Sequence, residues 1–361
     1  MNNIINSSKF DIAIPHRNWQ QALSDSFAVL SCASPGEVVC ITGPSRAGKS
    51  LLIRRLIDML FETNDFERTG LLPAVVVEAV NSGAHGGFST KAFTQRMLEA
   101  VKHPLFTMKG QNLEDILAMQ KMDRSTEATL RMALEQALIA RGTRYLFIDE
   151  AQHVRYASKD VQAAFAVMDS WKCLAQTTGL VIVFVGAYPI LDIIKNSPHL
   201  LGRNHQVHFP RYYANKDDIL AFGQLLQHYS GLISLESKLS SLTDLAELMY
   251  GGSLGCIGLL KAWLKRTDAI ASMQNIPVSE RLLMENKLSD INLLAIRQEI
   301  NMGEKLLERS EGKSPVSQDN AIKSESENKV NTRPIKKGKK PFQRNPVRNQ
   351  AGNRTQGNLN D

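Results

Sequence analysis

Along the chain, short unbroken apolar runs alternate with longer stretches in which apolar positions recur every three or four residues. The runs Glu37 to Thr42, Pro73 to Val80, Tyr145 to Asp149 and Leu180 to Gly186 are rich in β-branched residues, as strands buried on both faces require. Helical spacing marks a segment around Trp19 to Leu30, then Lys49 to Phe61, Ser89 to Val101, Ser125 to Ala140 and Val161 to Gln176. A short helix and a fifth strand, after Arg203, complete the alternation, which predicts a parallel sheet with helical crossovers. Beyond Pro210 the strand pattern stops. The stretch NKDDILAFGQLLQHYSG offers Asn215 as N-cap, Asp217 and Asp218 in the first turn and Gly231 just past the end. Helical periodicity continues over Leu239 to Tyr250, Leu254 to Lys265 and roughly Ser279 to Leu307, with no internal repeat.

The pattern divides the chain into a lead-in segment (1–35), an α/β core (36–212), a helical unit (213–308) and a tail (309–361). Charge separates the tail from the rest. Of a net charge of +7, all is carried by residues 331–361, where eight basic residues (Arg333, Lys336, Lys337, Lys339, Lys340, Arg344, Arg348, Arg354) face one acid, Asp361. The first 330 residues are neutral overall. The tail is poor in apolar residues and is expected to be disordered, either as a solvated extension or as a segment that binds DNA or a protein partner. With 43% hydrophobic and 22% charged residues the chain as a whole reads as soluble and globular. The longest apolar run, Leu180 to Ala187, falls far short of the ~20 residues that span a bilayer. No secretory leader pattern is visible at Met1 to Ser7, and Cys32, Cys40, Cys173 and Cys256 show no metal-ligand spacing. A cytoplasmic protein without a membrane partner is the expectation.

Candidate chemistry sits at two strand ends. Between the first strand and its helix, Gly43-Pro44-Ser45-Arg46-Ala47-Gly48-Lys49-Ser50 is a full Walker A pattern running into Leu51. Glycines at such a turn let backbone N–H groups converge on phosphate oxygens at a helix N-terminus. Lys49 is placed to reach the β and γ phosphates of ATP, and the Ser50 hydroxyl to ligate Mg²⁺. The second end is YLFIDE, Tyr145 to Glu150, in which an apolar strand delivers two acids to the carboxyl edge of the sheet. Asp149 is assigned to hold Mg²⁺ through water, and Glu150 to orient and polarise the attacking water. The glutamate favours hydrolysis over transfer of phosphate to another small molecule. His153 is either a phosphate or DNA sensor or a polar residue at a helix start. An arginine finger supplied to a neighbouring subunit is assigned first to Arg203 and second to Arg211.

This order of elements is that of AAA+ ATPases, and within them the chain resembles the TnsC/TniB family, regulators of transposons that use a DDE transposase. The resemblance spans roughly Ile14 to Leu264 and rests on ITGPSRAGKS, YLFIDEAQHV, VFVGAYPILDIIKNSPHLLGR and GGSLGCIGLLKAWL. It implies an AAA+ P-loop core with a C-terminal helical lid. It also implies ATP-dependent assembly of a homo-oligomeric ring or helical filament on double-stranded DNA, without sequence preference. Such a platform links a target-selection protein, such as a TniQ/TnsD-like factor, to transposase subunits. The resemblance further assigns Lys91, in FSTKAF, and Thr126, in DRSTEATL, to the DNA backbone, with Lys121 and Arg124 as reinforcing phosphate contacts.

Two positions depart from the family. The residue after the fourth-strand VG is Ala187 where relatives carry Thr, Ser or Asn, and the lid reads Gly252-Ser253-Leu254-Gly255-Cys256 without the usual arginine. Both departures remove γ-phosphate contacts and point to slow, regulatory hydrolysis. An AAA+ ATPase that loads a helicase or remodels a protein shares every motif named and stands as the alternative. A small-molecule kinase leaves Glu150 and the helical unit without a role.

Overall fold

A computed structural model describes residues 7–10, 14–61, 66–82, 86–106, 117, 120, 122–157, 161–195 and 204–310. Five strands, β1 (Val38–Thr42), β2 (Ala74–Glu78), β3 (Tyr145–Asp149), β4 (Val181–Gly186) and β5 (Asn204–His208), form one sheet in the order β2-β3-β4-β1-β5. Every pairing is parallel. The first four strands fall within two residues of the runs expected from the sequence.

Alternate residues of each strand feed two separate cores, because successive side chains leave opposite faces of a sheet. Val38, Cys40, Leu146, Ile148, Ile182 and Phe184 are buried in one cluster. Val39, Ile41, Tyr145, Phe147, Val181, Val183 and Val185 are buried in the other. The first face is covered by α3 (Thr90–Ala100), α4 (Glu127–Ala140), α5 (Val161–Thr178) and α6 (Pro189–Lys195), and the second by α1 (Arg17–Cys32) and α2 (Lys49–Leu60). Coverage on both sides explains why β1, β3 and β4 are buried at every position, whereas edge strand β2 exposes Val76 and Glu78.

The helical unit comprises α7 (Lys216–Ser230), α8 (Ala246–Ser253), α9 (Ile257–Gln274), α10 (Glu280–Asn286) and α11 (Asp290–Ser310). Asn215 caps α7 by accepting from the Asp218 backbone N–H, and Gly231 follows its end, as expected. Three expected helices are corrected. Leu239 to Tyr250 divides into a 3-10 turn, Leu242–Leu245, and α8, because a Ser241/Asp244 capping box starts a tight turn there. The stretch from Leu254 does not begin a helix. Leu254 and Gly255 take left-handed φ of 54° and 73°, and α9 starts at Ile257. Ser279 to Leu307 is two helices, broken at the extended Lys287 and restarted where the Ser289 side chain accepts from the Asn292 backbone N–H.

Hydrophobic burial crosses the boundaries drawn from the sequence. Leu293, Ile300 and Leu307 of α11, with Leu254, Cys256 and Leu259, join the first sheet core. Phe10 of the lead-in segment is buried among α7 and α9, stacks on Tyr229 and is flanked by a Lys9–Asp268 ion pair at 2.7 Å. The tail, from 311 onward, lies outside the described residues. Among the described residues no helix is long and apolar enough to cross a membrane, and all four cysteines are free thiols.

His16 joins these parts. Its ring Nδ1 accepts from the Trp19 backbone N–H at 3.3 Å, capping α1, and lies 3.2 Å from the Tyr212 hydroxyl. Burial lowers its pKa from 6.5 to about 4. The unfolded chain therefore binds the proton more tightly than the folded one, so stability contributed by neutral His16 falls as pH drops through 6.5 toward 4. Between pH 8 and pH 5 this loss is about 2 kcal/mol. In His16→Asn, which keeps a capping oxygen and does not titrate, thermal melts at the two pH values are expected to differ less than in the wild type by several degrees.

Candidate nucleotide-binding site

The site is built where β1, β3 and β4 end. Gly43 leaves β1 so close to β5's continuation that a Cβ there would lie 2.3 Å from the Phe209 carbonyl oxygen. Arg46 and Gly48 turn the loop with φ of 62° and 101°, and Gly48 starts α2 without a capping side chain. The first N–H groups of α2 are thereby left to an external acceptor, which is the arrangement that binds phosphate.

Lys49 is 6% exposed, and its ammonium donates to the carbonyls of Gly43 at 3.1 Å and Pro44 at 2.8 Å. Burial lowers its pKa, opposed by the negative fields of Glu150, Asp149 and Glu299. Ser50 Oγ donates to Asp149 Oδ2 at 2.6 Å, although β4 lies between their strands. The other Asp149 oxygen accepts from the Glu150 backbone N–H at 2.9 Å. This hydroxyl–carboxylate pair suits Mg²⁺, a hard cation held by few protein oxygens together with substrate phosphates and water.

Glu150 stands directly after β3 with φ 53° and ψ 32°. A non-glycine residue in this region carries about 1–2 kcal/mol of strain, of a kind that clusters at functional positions. Its carboxylate accepts from Gln152 Nε2 at 2.5 Å, and Gln152 Oε1 accepts from the Ala187 backbone N–H at 3.1 Å. His153 Nδ1 lies 2.7 Å from the Ala79 carbonyl, which ties the turn after β3 to the end of β2. The position is half-buried.

The helical unit closes on this loop. A Cβ on Gly258, at the start of α9, would lie 1.7 Å from the Arg46 carbonyl oxygen, so only glycine permits the approach. Gly255 accepts from the Tyr212 N–H at 3.0 Å, and its own Cβ would meet the Tyr212 carbonyl at 2.1 Å. Cys256, directly after the lid glycine Gly255, is buried and its thiol pKa is pushed up to about 12 by desolvation. Arg211 makes a two-pronged ion pair with Glu304 of α11, at 2.9 and 3.1 Å, and donates to the Leu254 carbonyl at 3.4 Å. Arg211, the second choice for a finger toward a neighbouring subunit, is thus engaged within its own chain. The first choice, Arg203, lies outside the described residues.

Away from this site, Lys91 begins α3 and donates to the Asp123 carbonyl at 2.6 Å. That bond brings it to the segment holding exposed Arg124 and Thr126. Thr126 is also the N-cap of α4, accepting from the Thr129 N–H at 3.2 Å. Lys121 lies outside the described residues. Sequence reasoning missed Gln152, Gly258 and the Arg211–Glu304 pair. The first two are visible only as polarity in DEAQ and as a glycine at a helix start.

Fold and site together define an AAA+ P-loop NTPase fold: a five-stranded parallel sheet, a Walker A loop on β1, acids on β3 and a helical lid. Residues 33–194 match the model of an AAA domain family. No curated protein matches the chain. Among solved structures, the ORC2 protein of Aeropyrum pernix in its ADPNP–ADP complexes is 14% identical with a TM-score of 0.50, over 77% of this chain and 70% of that one. The Cdc6p protein of Pyrobaculum aerophilum is 17% identical with a TM-score of 0.47, over 75% and 67%. A Walker-type ATPase of Pyrococcus abyssi is 17% identical with a TM-score of 0.46, over 85% and 80%. At these identities the likeness is one of fold.

The Gly258 contact yields a prediction. In Gly258→Ala the added methyl must push α9 off the loop, and affinity for a fluorescent ATP analogue is expected to fall tenfold or more, about 1.4 kcal/mol. Gly251→Ala, where an added methyl meets nothing, is expected to leave that affinity unchanged in the same titration.

Proposed function

We propose that this protein is an ATP-binding, slowly hydrolysing AAA+ switch that assembles as a homo-oligomer on double-stranded DNA. In that state it links a target-selection factor to a DDE transposase. The observation that carries the nucleotide half is the Ser50–Asp149 contact beside Lys49, which assembles phosphate-binding and metal-binding groups from two distant segments.

In this reading the loop Gly43 to Gly48, the start of α2 through Leu51 and Lys49 hold the phosphates, and Ser50 and Asp149 hold Mg²⁺. The metal would supply neutralisation of phosphate charge. Glu150 holds and polarises the attacking water, and Arg203 of one subunit serves its neighbour. Ala187 and Cys256 offer no charged side chain to the γ-phosphate. Turnover is therefore expected to stay below about 10 s⁻¹, the enzyme median, without a partner.

The DNA half is supported by the grouping of Lys91, Arg124 and Thr126 around the start of α4. Lys121 would add to it, and the basic tail is a second candidate for DNA or transposase. A subunit with a neutral body gains affinity by repeating a few phosphate contacts along an assembly. The alternative, a helicase-loading or protein-remodelling ATPase, shares the nucleotide site and has no need of this grouping.

Binding of labelled random-sequence duplex DNA separates the two. Cooperative binding is expected with a non-hydrolysable ATP analogue and wild-type protein, and not with ADP or with Lys49→Ala. Lys91→Ala is expected to weaken it severalfold, and binding should fall steeply between about 50 and 200 mM salt. No binding under any of these conditions would transfer the assignment to the protein-directed class.

A further inference from the structure

The turn after β3 holds a buried amide, Gln152, between Glu150 and the end of β4. Gln152 is 9% exposed, and both ends of its amide are engaged. Nε2 donates to Glu150 at 2.5 Å, and Oε1 accepts from the backbone N–H of Ala187 at 3.1 Å. The approach to β4 is tight enough to constrain the sequence there. A Cβ at Gly186 would lie 2.3 Å from Gln152 Oε1, so the last residue of β4 must be glycine for the amide to reach past it.

The chemistry of the link selects glutamine. One end must donate to a carboxylate and the other must accept from an N–H, which an amide does and a carboxylate does not. Glutamate at 152 would keep the length and the acceptor but lose the donor and set a second negative charge beside Glu150. Asparagine would be one methylene short. The far end of the link is the residue that follows β4, whose alanine side chain has no polar atom of its own.

We infer that Gln152 is a positioning residue for ATP hydrolysis, tying the Glu150 carboxylate to the end of β4. This rests on the hydrolytic reading above. In that reaction the water oxygen bonds to the γ-phosphorus, and the bond from that phosphorus to the bridging oxygen breaks. Its electron pair leaves with ADP, and the water's proton passes to Glu150 and on to solvent. Glu150 has to present an oxygen to that water while its own backbone is held in the left-handed region. Gln152 fixes where the carboxylate points, and it carries any displacement of the β4 end directly to the catalytic carboxylate. The link replaces a direct side-chain contact at Ala187 with an indirect one.

The test compares full-length wild type, Gln152→Glu and Gln152→Leu by steady-state ATP hydrolysis and by titration with a fluorescent ATP analogue in Mg²⁺. Both variants are expected to lose tenfold or more in kcat while analogue affinity stays within threefold. A single-turnover double-mutant cycle adds a readout that a packing role would not move. Placed in Glu150→Gln, Gln152→Glu should slow the residual reaction by less than threefold. Should Gln152→Leu not fold, the near-isosteric Gln152→Glu carries the test alone. A kcat loss under tenfold in Gln152→Glu, a change in analogue affinity beyond threefold, or additive losses in the cycle would overturn the inference. Wild-type protein without turnover that depends on Lys49 and Glu150 would overturn the hydrolytic reading itself, and the inference with it.

Discussion

A hydrogen bond of 2.6 Å between Ser50 and Asp149 is the interaction around which the site is arranged. The two residues belong to α2, the helix that follows β1, and to β3, and β4 is inserted between those strands. They meet only because all strands run parallel and end at the same edge, which places helix N-termini and strand carboxyl ends together. The two cores on either face of the sheet keep that edge in register. Full burial of β1, β3 and β4 leaves no room for a strand to slide, since a shift by one residue would exchange the two faces.

From that point the structure reads as a series of ties to the same edge. Gly258 sets α9 against the Arg46 carbonyl, and Gly255 pairs the lid turn with Tyr212. Gly303 of α11 abuts the Tyr188 ring so closely that a Cβ there would lie 2.1 Å from it, one residue beyond Ala187. The Arg211–Glu304 pair fastens the same helix a turn from Glu299, whose charge is felt at Lys49. The lid is therefore held by backbone proximity at two glycines and by partly buried charge at one pair. The first kind of contact is rigid. The second depends on the local field.

What could be read from sequence divides along the same line. Strands were legible because burial on both faces forces unbroken runs of β-branched residues. The Walker A loop was legible because its chemistry occupies eight consecutive residues. Asp149 and Glu150 followed from their place at a strand end. Gln152 was not, since its meaning lies in contact with Ala187, thirty-five residues on. Nor was Gly258, whose constraint is the Arg46 carbonyl more than two hundred residues earlier. The long helix drawn from Ser279 failed for a local reason: its apolar spacing carries through Lys287, and the break is signalled only by Ser289 capping the restart. The packing of the lead-in segment was not legible, because Phe10 and His16 find their partners, Tyr229 and Tyr212, far along the chain.

The electrostatics of the edge bear on how such a site discriminates nucleotide states. Lys49 is a buried cation whose own loop carbonyls hold it, in a field set by three carboxylates. Taking a cation out of water is costly unless it is paired, and carbonyl dipoles compensate less than a full negative charge. A γ-phosphate would therefore find Lys49 already positioned and short of a full counter-charge. The same phosphate would meet repulsion from Glu150 and Glu299 unless a divalent cation or a shift of these groups relieved it. Attraction at the loop and repulsion at the β3 turn and α11 act on different elements. In the proposed reading, occupancy by ATP would thus differ from ADP not only in affinity but in which parts of the molecule are pushed apart, which is the requirement for a nucleotide to act as a switch.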